Sequence, residues 1–311
     1  MHTATASISS HKSSFRKDLK RYKLIYLMLL PVLIYYIIFH YLPMLGTVIA
    51  FQNYKPAKGI MGSSFVGLKH FISFFEGPYA FRLIRNTILL SLYQIAVGFP
   101  APILLALLFN EMKSKRYKSL CQTLTYMPHF VSLVVVCGLV RTFTSSTGLI
   151  TNLFVRMGME PVNLLAQPKY YRTIYVLSDV WQNIGWGSIL YLATLANVDP
   201  ALYEAADLDG ANRIQKIIHI NFPTLIPIIA VQLIMRLGRI MSEGSEKTIL
   251  LYSAVTYETS DIISSYVYRS GLEQQSYSSA AAIGLFNSLI NMCLVVFANW
   301  FSRTYVNESL W

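Results

Sequence analysis

Along this chain, long apolar blocks alternate with short polar interruptions, and the blocks have the length that crosses a bilayer rather than the short alternation of a soluble core. The first candidate span runs from Leu24 to Phe51. It exceeds the roughly 20 residues needed to cross, and it carries Pro31 and Pro43, where a helix can kink. Further spans are expected at Asn86 to Phe109, from about Leu120 to Phe143, from Thr173 to about Val198, from Thr224 to about Met241 and at Ser279 to Phe301. Six spans follow from this pattern. Between the first two, the aromatic FVGLKHFISFF, Phe65 to Phe75, is too short to cross and reads as an amphipathic piece lying at an interface. The other connections are the basic loop NEMKSKRYKS, the polar stretch Thr144 to Arg172, and the Tyr-rich region Ser242 to Ser278.

One interruption is more ordered than a simple link requires. Asp199 to Pro223 reads DPALYEAADLDGANRIQKIIHINFP. Asp199 before Pro200 is a helix start: the carboxylate accepts first-turn N–H groups, and proline at the first position loses nothing by lacking its own. In the short helix that follows, Leu202, Ala205, Ala206 and Leu208 share one side while Glu204, Asp207 and Asp209 are solvated. Gly210 then permits a turn or a close backbone contact. A second amphipathic piece through Ile214, Ile217 and Ile218 leads to Pro223.

Composition strengthens the membrane reading: 54% of the 311 residues are hydrophobic, 13% are charged, and mean hydropathy is +0.45. The net charge of +11 does not point to nucleic acid, because many basic residues cluster beside apolar runs, at Lys12 to Lys23 and Lys113 to Lys118. With the N-terminus inside, the cytoplasmic segments hold 13 basic residues and the much longer external ones hold 10. That density places both termini and Asp199 to Pro223 in the cytoplasm, although the five basic residues between Gln52 and Arg85 pull the other way. The N-terminal apolar stretch has no small-residue cleavage site, so it reads as an uncleaved first span. The chain thus divides into a cytoplasmic tail, 1–23, whose first 14 or so residues read as disordered; a first span with an external and interfacial segment, 24–85; a core of five spans, 86–302, containing the element 199–223; and a cytoplasmic tail, 303–311.

Catalytic chemistry has little support. Cys121, Cys137 and Cys293 form no metal-type pair, His40, His70, His129 and His219 stand apart from one another, and neither H-E-x-x-H nor a P-loop occurs. No metal site and no cofactor is expected on this chain. The informative polar residues lie within the spans, where they point to a partner helix or a wet path. Gly284, Asn287, Ser288 and Asn291 share one face of the sixth span and serve either as helix glue or as a passage lining. Asp179, Trp181, Gln182, Asn183 and Trp186 open the fourth. The tryptophans fit an aromatic belt or, with the two amides, a platform for sugar rings. Gln232, Arg236 and Arg239 lie in the fifth span, where the arginines either snorkel to headgroups or form a basic patch for an acidic solute.

The polar element resembles the signature of permease subunits of bacterial ATP-binding-cassette importers: Glu-Ala-Ala, three residues, then Gly, and later Pro. Here these are Glu204, Ala205 and Ala206, then Asp207, Leu208 and Asp209, then Gly210, with Ala211 and Pro223 following. FVGLKHFISFF and the pair Asn86 and Thr87 look like the sugar-type branch. TYETSDIISSYVYRSGL, YSSAAAIGLFNSLIN and the terminal ESLW look like the branch for lipoprotein-associated and complex-polysaccharide uptake. One departure is GSEK at Gly244 to Lys247, where the resemblance implies an aromatic after the glycine.

The resemblance implies an all-α membrane protein with six transmembrane helices of the type I importer permease fold and a cytoplasmic coupling-helix loop between spans four and five. In it, Glu204, Ala205, Ala206, Asp209, Gly210, Ala211 and Pro223 belong to the loop that docks on an ATPase. The implied complex, in the inner membrane, joins this chain to a second, homologous permease, two ATPase subunits that hold ATP and Mg, and an extracytoplasmic solute-binding protein. The implied cargo is an oligosaccharide, and Arg236 and Arg239 leave room for an acidic one. The rival is an ion-coupled secondary carrier for sugars, which calls for internal repeats, broken spans and midplane carboxylates that are not evident here.

Overall fold

The computed structural model describes residues 22–241 and 244–305. Most of both expected tails, including ESLW, lies outside the described residues. The architecture is helical, with a small antiparallel ladder of β1 (Gln52–Asn53) and β2 (Ser64–Phe65), Gln52 facing Phe65 and Asn53 facing Ser64.

Helix α1 covers Lys23–Phe51. From Lys23 to Leu45 every residue is exposed; only from Gly46 onward does the end of the helix meet the rest of the chain and bury Ala50. A helix apolar on all sides is suited to lipid or another chain rather than water. The interfacial piece is α2 (Lys69–Glu76), and α3 is Ala80–Asn110. Three prolines in long helices each follow a π turn by two residues: Pro43 after Ile37–Tyr41, Pro100 after Gln94–Gly98 and Pro223 after Ile217–Asn221. Proline lacks an N–H and its ring crowds the carbonyl one turn earlier, so widening that turn keeps the helix continuous.

The expected third span, Leu120 to Phe143, is not one helix. Helix α4 (Lys115–Tyr126) runs into a tight turn at Met127–Phe130 containing Pro128; Val131 is extended, and Ser132 caps α5 (Leu133–Thr144) by accepting the Val135 N–H at 3.4 Å. The spanning-length apolar run is instead Leu133–Arg156, made of α5, a turn and α6 (Leu149–Arg156). The expected fourth span, Thr173 to about Val198, corresponds to α7 (Pro168–Leu195), which starts and ends a few residues earlier. After α8 (Pro200–Leu208), α9 runs Arg213–Leu237, so the fifth span begins inside the polar stretch rather than at Thr224: the π turn carries the helix across Pro223. Short helices α10 (Ser245–Leu251), α11 (Tyr257–Ser260) and α12 (Ile263–Tyr268) lead to α13 (Tyr277–Tyr305).

Among the described residues, five helical runs are long and apolar enough to cross a membrane: Lys23–Phe51, Ala80–Asn110, Leu133–Arg156, Arg213–Leu237 and Tyr277–Thr304. Helix α7, with 28 residues, has the length but not the apolarity. Its buried faces explain this. It is the central helix, packed on α3, α4, α5, α9 and α11, and it buries Gln182 and Ser188 beside Tyr171, Tyr175 and Val176. At Gly185 a β-carbon would sit 2.1 Å from the Thr125 carbonyl oxygen, so α7 approaches α4 more closely than any side chain allows.

The core lies in clusters at two levels. Leu90, Cys137, Tyr171, Val176, Leu251 and Ile262 form one cluster, and Phe74, Leu83, Met241, Ile263 and Ile283 form a neighbouring one. Ile103, Ala106, Leu107, Tyr191, Leu195 and Leu225 form the third, near the α8 end. The middles of α3, α7 and α9 run between these levels.

Candidate functional site

The polar element folds through its own local hydrogen bonds. Asp199 accepts the Ala201 N–H at 2.9 Å and Pro200 starts α8. At the other end the Ala211 N–H reaches the Ala206 carbonyl at 2.9 Å and the Gly210 N–H reaches Asp207 at 3.1 Å, the paired bonds of a Schellman stop. That stop needs a left-handed residue, and Gly210 has φ +73°. Among the described residues, no atom beyond its chain neighbours lies within 4 Å of a β-carbon there, so the turn rather than a close contact calls for glycine. Asn212 and Gln215 cap the next helix reciprocally, at 3.0 and 2.7 Å. Asp207 pairs with Lys216, and the Tyr203 hydroxyl donates to Asn221 Oδ1, tying α8 to α9.

What this element does not do is bury itself. Glu204, Ala205, Asp209 and Gly210 are exposed, Ala206 and Ala211 are half-buried, and Leu208 is 90% exposed. Leu202, Ile214 and Ile218 are exposed as well. Pro223, also exposed, sits in the first turn after the π segment rather than at the start of a new helix.

Of the residues expected in a passage, Trp186, Gln232, Arg236 and Arg239 come together. They line a half-open cleft of about 300 Å³ with Gly98, Phe99, Pro102, Gly187, Leu190 and Tyr191, where the middles of α3 and α7 meet the C-terminal end of α9 and the turn after it. Arg236 Nη2 lies against the π turn of α3, 3.6 Å from where a Gly98 β-carbon would be. The cleft offers an indole, an amide and two guanidinium groups: an apolar plane for a ring's C–H face and charged donors for carboxylates or hydroxyls.

The family model for binding-protein-dependent transport system inner membrane components matches residues 98–307, which include the polar element and every residue lining the cleft. The chain belongs to this family. It is 43% identical over 93% of its length to the polygalacturonan/rhamnogalacturonan transport system permease protein YteP of Bacillus subtilis (strain 168), of which 90% is covered. Among solved structures, it is similar to a chain of a bacterial ABC transporter involved in the import of the acidic polysaccharide alginate (45% identity, TM-score 0.87, covering 93% of this chain and 98% of that one). It also matches a chain of a bacterial alginate ABC transporter in complex with alginate pentasaccharide-bound periplasmic protein (44% identity, TM-score 0.89, 96% and 100%). The protein is thus an ABC-type inner-membrane permease subunit with the all-α, multi-span fold of type I importers.

In this permease the other expected passage residues sit elsewhere. Trp181 lines a separate, almost wholly apolar pocket of about 550 Å³ between α5, α6 and α7. Gln182 is buried and donates to the Val131 carbonyl at 3.2 Å, holding the break between α4 and α5. Asn183 bridges Asp179 and His129, at 3.2 and 3.0 Å. Asp179 also pairs with Lys247 at 3.5 Å. The Gln182 and Asn183 amides are thus engaged within the chain, and Trp181 and Trp186 line different cavities. On α13, Asn287 donates to the Met241 carbonyl at 3.0 Å and Asn291 accepts its N–H at 3.1 Å, so both clasp the segment that ends α9. That geometry is helix glue. The Ser288 hydroxyl donates to the Gly284 carbonyl of its own helix, at 3.0 Å.

Two networks were not legible beforehand. Asn86 donates to the carbonyls of Glu258 and Asp261, at 2.9 and 3.0 Å, and accepts from Arg172 at 2.8 Å; Thr87 accepts the Ile263 N–H at 3.0 Å. The pair Asn86 and Thr87 and the run TYETSDIISSYVYRSGL, far apart in the chain, are thus direct partners. Asp261, fully buried, accepts from Arg269 at 2.7 Å and lies 3.5 Å from Arg82. Arg269 also stands over the rings of Tyr252, Tyr257 and Tyr266. Burial opposes its charge, but bonding and attraction to Asp261 outweigh that and hold its pKa above the ordinary arginine value. Lys247, 3% exposed, lies over the Tyr175 ring at 4.9 Å; burial lowers its pKa, and Asp179 partly offsets the shift.

Proposed function

We propose that this permease carries acidic oligosaccharides across the membrane, in a complex driven by ATP hydrolysis on partner subunits. The observation that carries the substrate reading is the cleft, where Gln232 and Arg236 of α9 and Arg239 just beyond its end converge with Trp186 of α7. An anionic chain of sugar rings presents carboxylates to the guanidiniums and C–H faces to the indole. The two similar systems for alginate and polygalacturonan lend support.

In this reading α7 is the sixth span, its polarity supplied by the cleft and the internal network rather than by exposure to lipid. Both termini and α8 face the cytoplasm. There α8 docks on an ATPase, with Glu204 offered to basic groups, Ala205 and Ala206 allowing close approach, and Asp209, Gly210 and Ala211 forming the stop that fixes its exit. Pro223 lies in the rigid junction that passes movement of α8 into α9. The second permease, the two ATPases holding ATP and Mg, and the solute-binding protein complete the complex.

The test is uptake by the full complex in proteoliposomes, comparing a uronate oligosaccharide with a neutral one of equal length. Replacing Arg236 and Arg239 together by Gln is expected to depress uptake of the uronate by about tenfold or more while sparing the neutral sugar, as loss of charge-assisted hydrogen bonds predicts. An equal response of the two sugars would overturn the acidic reading.

A further inference from the structure

The indole of Trp186 does not stand in the cleft unsupported. His129, from the turn between α4 and α5, stacks on it with ring centroids 4.6 Å apart and planes 5° from parallel. Phe130 braces the same indole edge-on, at 5.7 Å and 85°. One face of Trp186 is thereby taken, yet the residue remains 48% exposed and lines the cleft.

His129 is in turn held by groups outside the cleft. Its Nδ1 lies 3.0 Å from Asn183 Oδ1, and Asn183 Nδ2 donates to Asp179 at 3.2 Å. A carboxylate can only accept, so Asp179 fixes which edge of the amide faces it. The amide oxygen must then face His129, and Nδ1 must carry the imidazole proton. Asp179 is held as a carboxylate partner by Lys247, whose ammonium is buried against Tyr175, while the Tyr175 hydroxyl donates to the Gly244 carbonyl at 3.1 Å. A continuous string therefore runs from the segment after α9, through Lys247, Asp179, Asn183 and His129, to the indole.

We infer that His129 and Asp179 are positioning residues for substrate recognition: Asp179 sets the Asn183 amide, Asn183 sets the His129 ring, and His129 holds Trp186 at the angle that meets a sugar ring. This assignment rests on the cleft being the substrate passage. It makes His129, isolated among the histidines in sequence, a determinant of affinity.

The test is equilibrium binding of a radiolabelled tetragalacturonate to the complete complex in nanodiscs. Trp186→Ala is expected to weaken binding. His129→Ala should weaken it by about three- to tenfold, the range of one aromatic pair, and His129→Phe, which keeps a flat ring, should restore most of it. The decisive measurement is the double variant: with Trp186→Ala in place, His129→Ala should add no further loss. Asp179→Asn combined with Lys247→Gln, which removes both charges together, should shift affinity in the same direction by a smaller factor and likewise lose its effect without Trp186. Independent, multiplying losses at His129 and Trp186 would overturn the positioning role while leaving the cleft intact. Unchanged binding in Trp186→Ala would remove the cleft reading itself, and the positioning role with it.

Discussion

The α8 element and the network around Asp261 solve opposite problems. Every bond that shapes α8 is short in sequence: Asp199 to Ala201, Ala211 to Ala206, Asn212 to Gln215, with Tyr203 to Asn221 the longest reach. Its apolar side chains stay uncovered, as a surface kept for another chain would be. The Asp261 network instead joins residues far apart. Asn86 and Thr87 bind backbone more than 170 residues away, and the charges are buried. One region is shaped before the fold exists and the other only by it. A transmitting element must keep its form while moving against a partner, and a scaffold must hold separate helices in register.

The comparison breaks most sharply at Asp261. Asp261→Asn leaves Arg269 and Arg82 without their buried counter-charge, and removing one partner of a buried pair costs about 3–5 kcal/mol. The thermal midpoint of the purified complex should therefore fall steeply. A complex as stable as the parent would show that the network is ornamental.

A smaller effect is expected at Gly210. Gly210→Ala forces a β-carbon into the left-handed region at about 1–2 kcal/mol, felt within α8 alone. The thermal midpoint should hardly move, whereas substrate-stimulated ATP hydrolysis should drop, with Gly210→Asn milder because asparagine tolerates that conformation. Global destabilisation by Gly210→Ala would erase the distinction between a local and a shared fold.

The smallest expected effect concerns Lys247. Its folded pKa lies below the ordinary 10.5, so the native state binds fewer protons than the unfolded chain between those values. Stability from this group therefore rises with pH through that window and falls as pH drops toward the lowered value. Lys247→Met should flatten the rise in thermal midpoint from neutral to alkaline pH; an unchanged slope would place its origin elsewhere.

The sequence by itself determined what short-range physics determines. Apolar block length announced the spans, and Asp199, Pro200 and Gly210 announced α8 and its stop, because caps and left-handed turns depend on a few neighbouring residues. Periodicity also placed Asn287 and Asn291 on one face, although not what they clasp. Tertiary structure decided the rest. It broke the third span at Pro128 and Ser132, where composition alone still read as apolar, and it began α9 at Arg213 because a π turn absorbs Pro223. It separated Trp181 from Trp186 and spent Gln182 and Asn183 on the chain itself, while bringing Arg236 and Arg239 to Trp186. Which helix faces meet is set by packing among segments far apart in the chain, and no window of sequence contains both sides of such a contact.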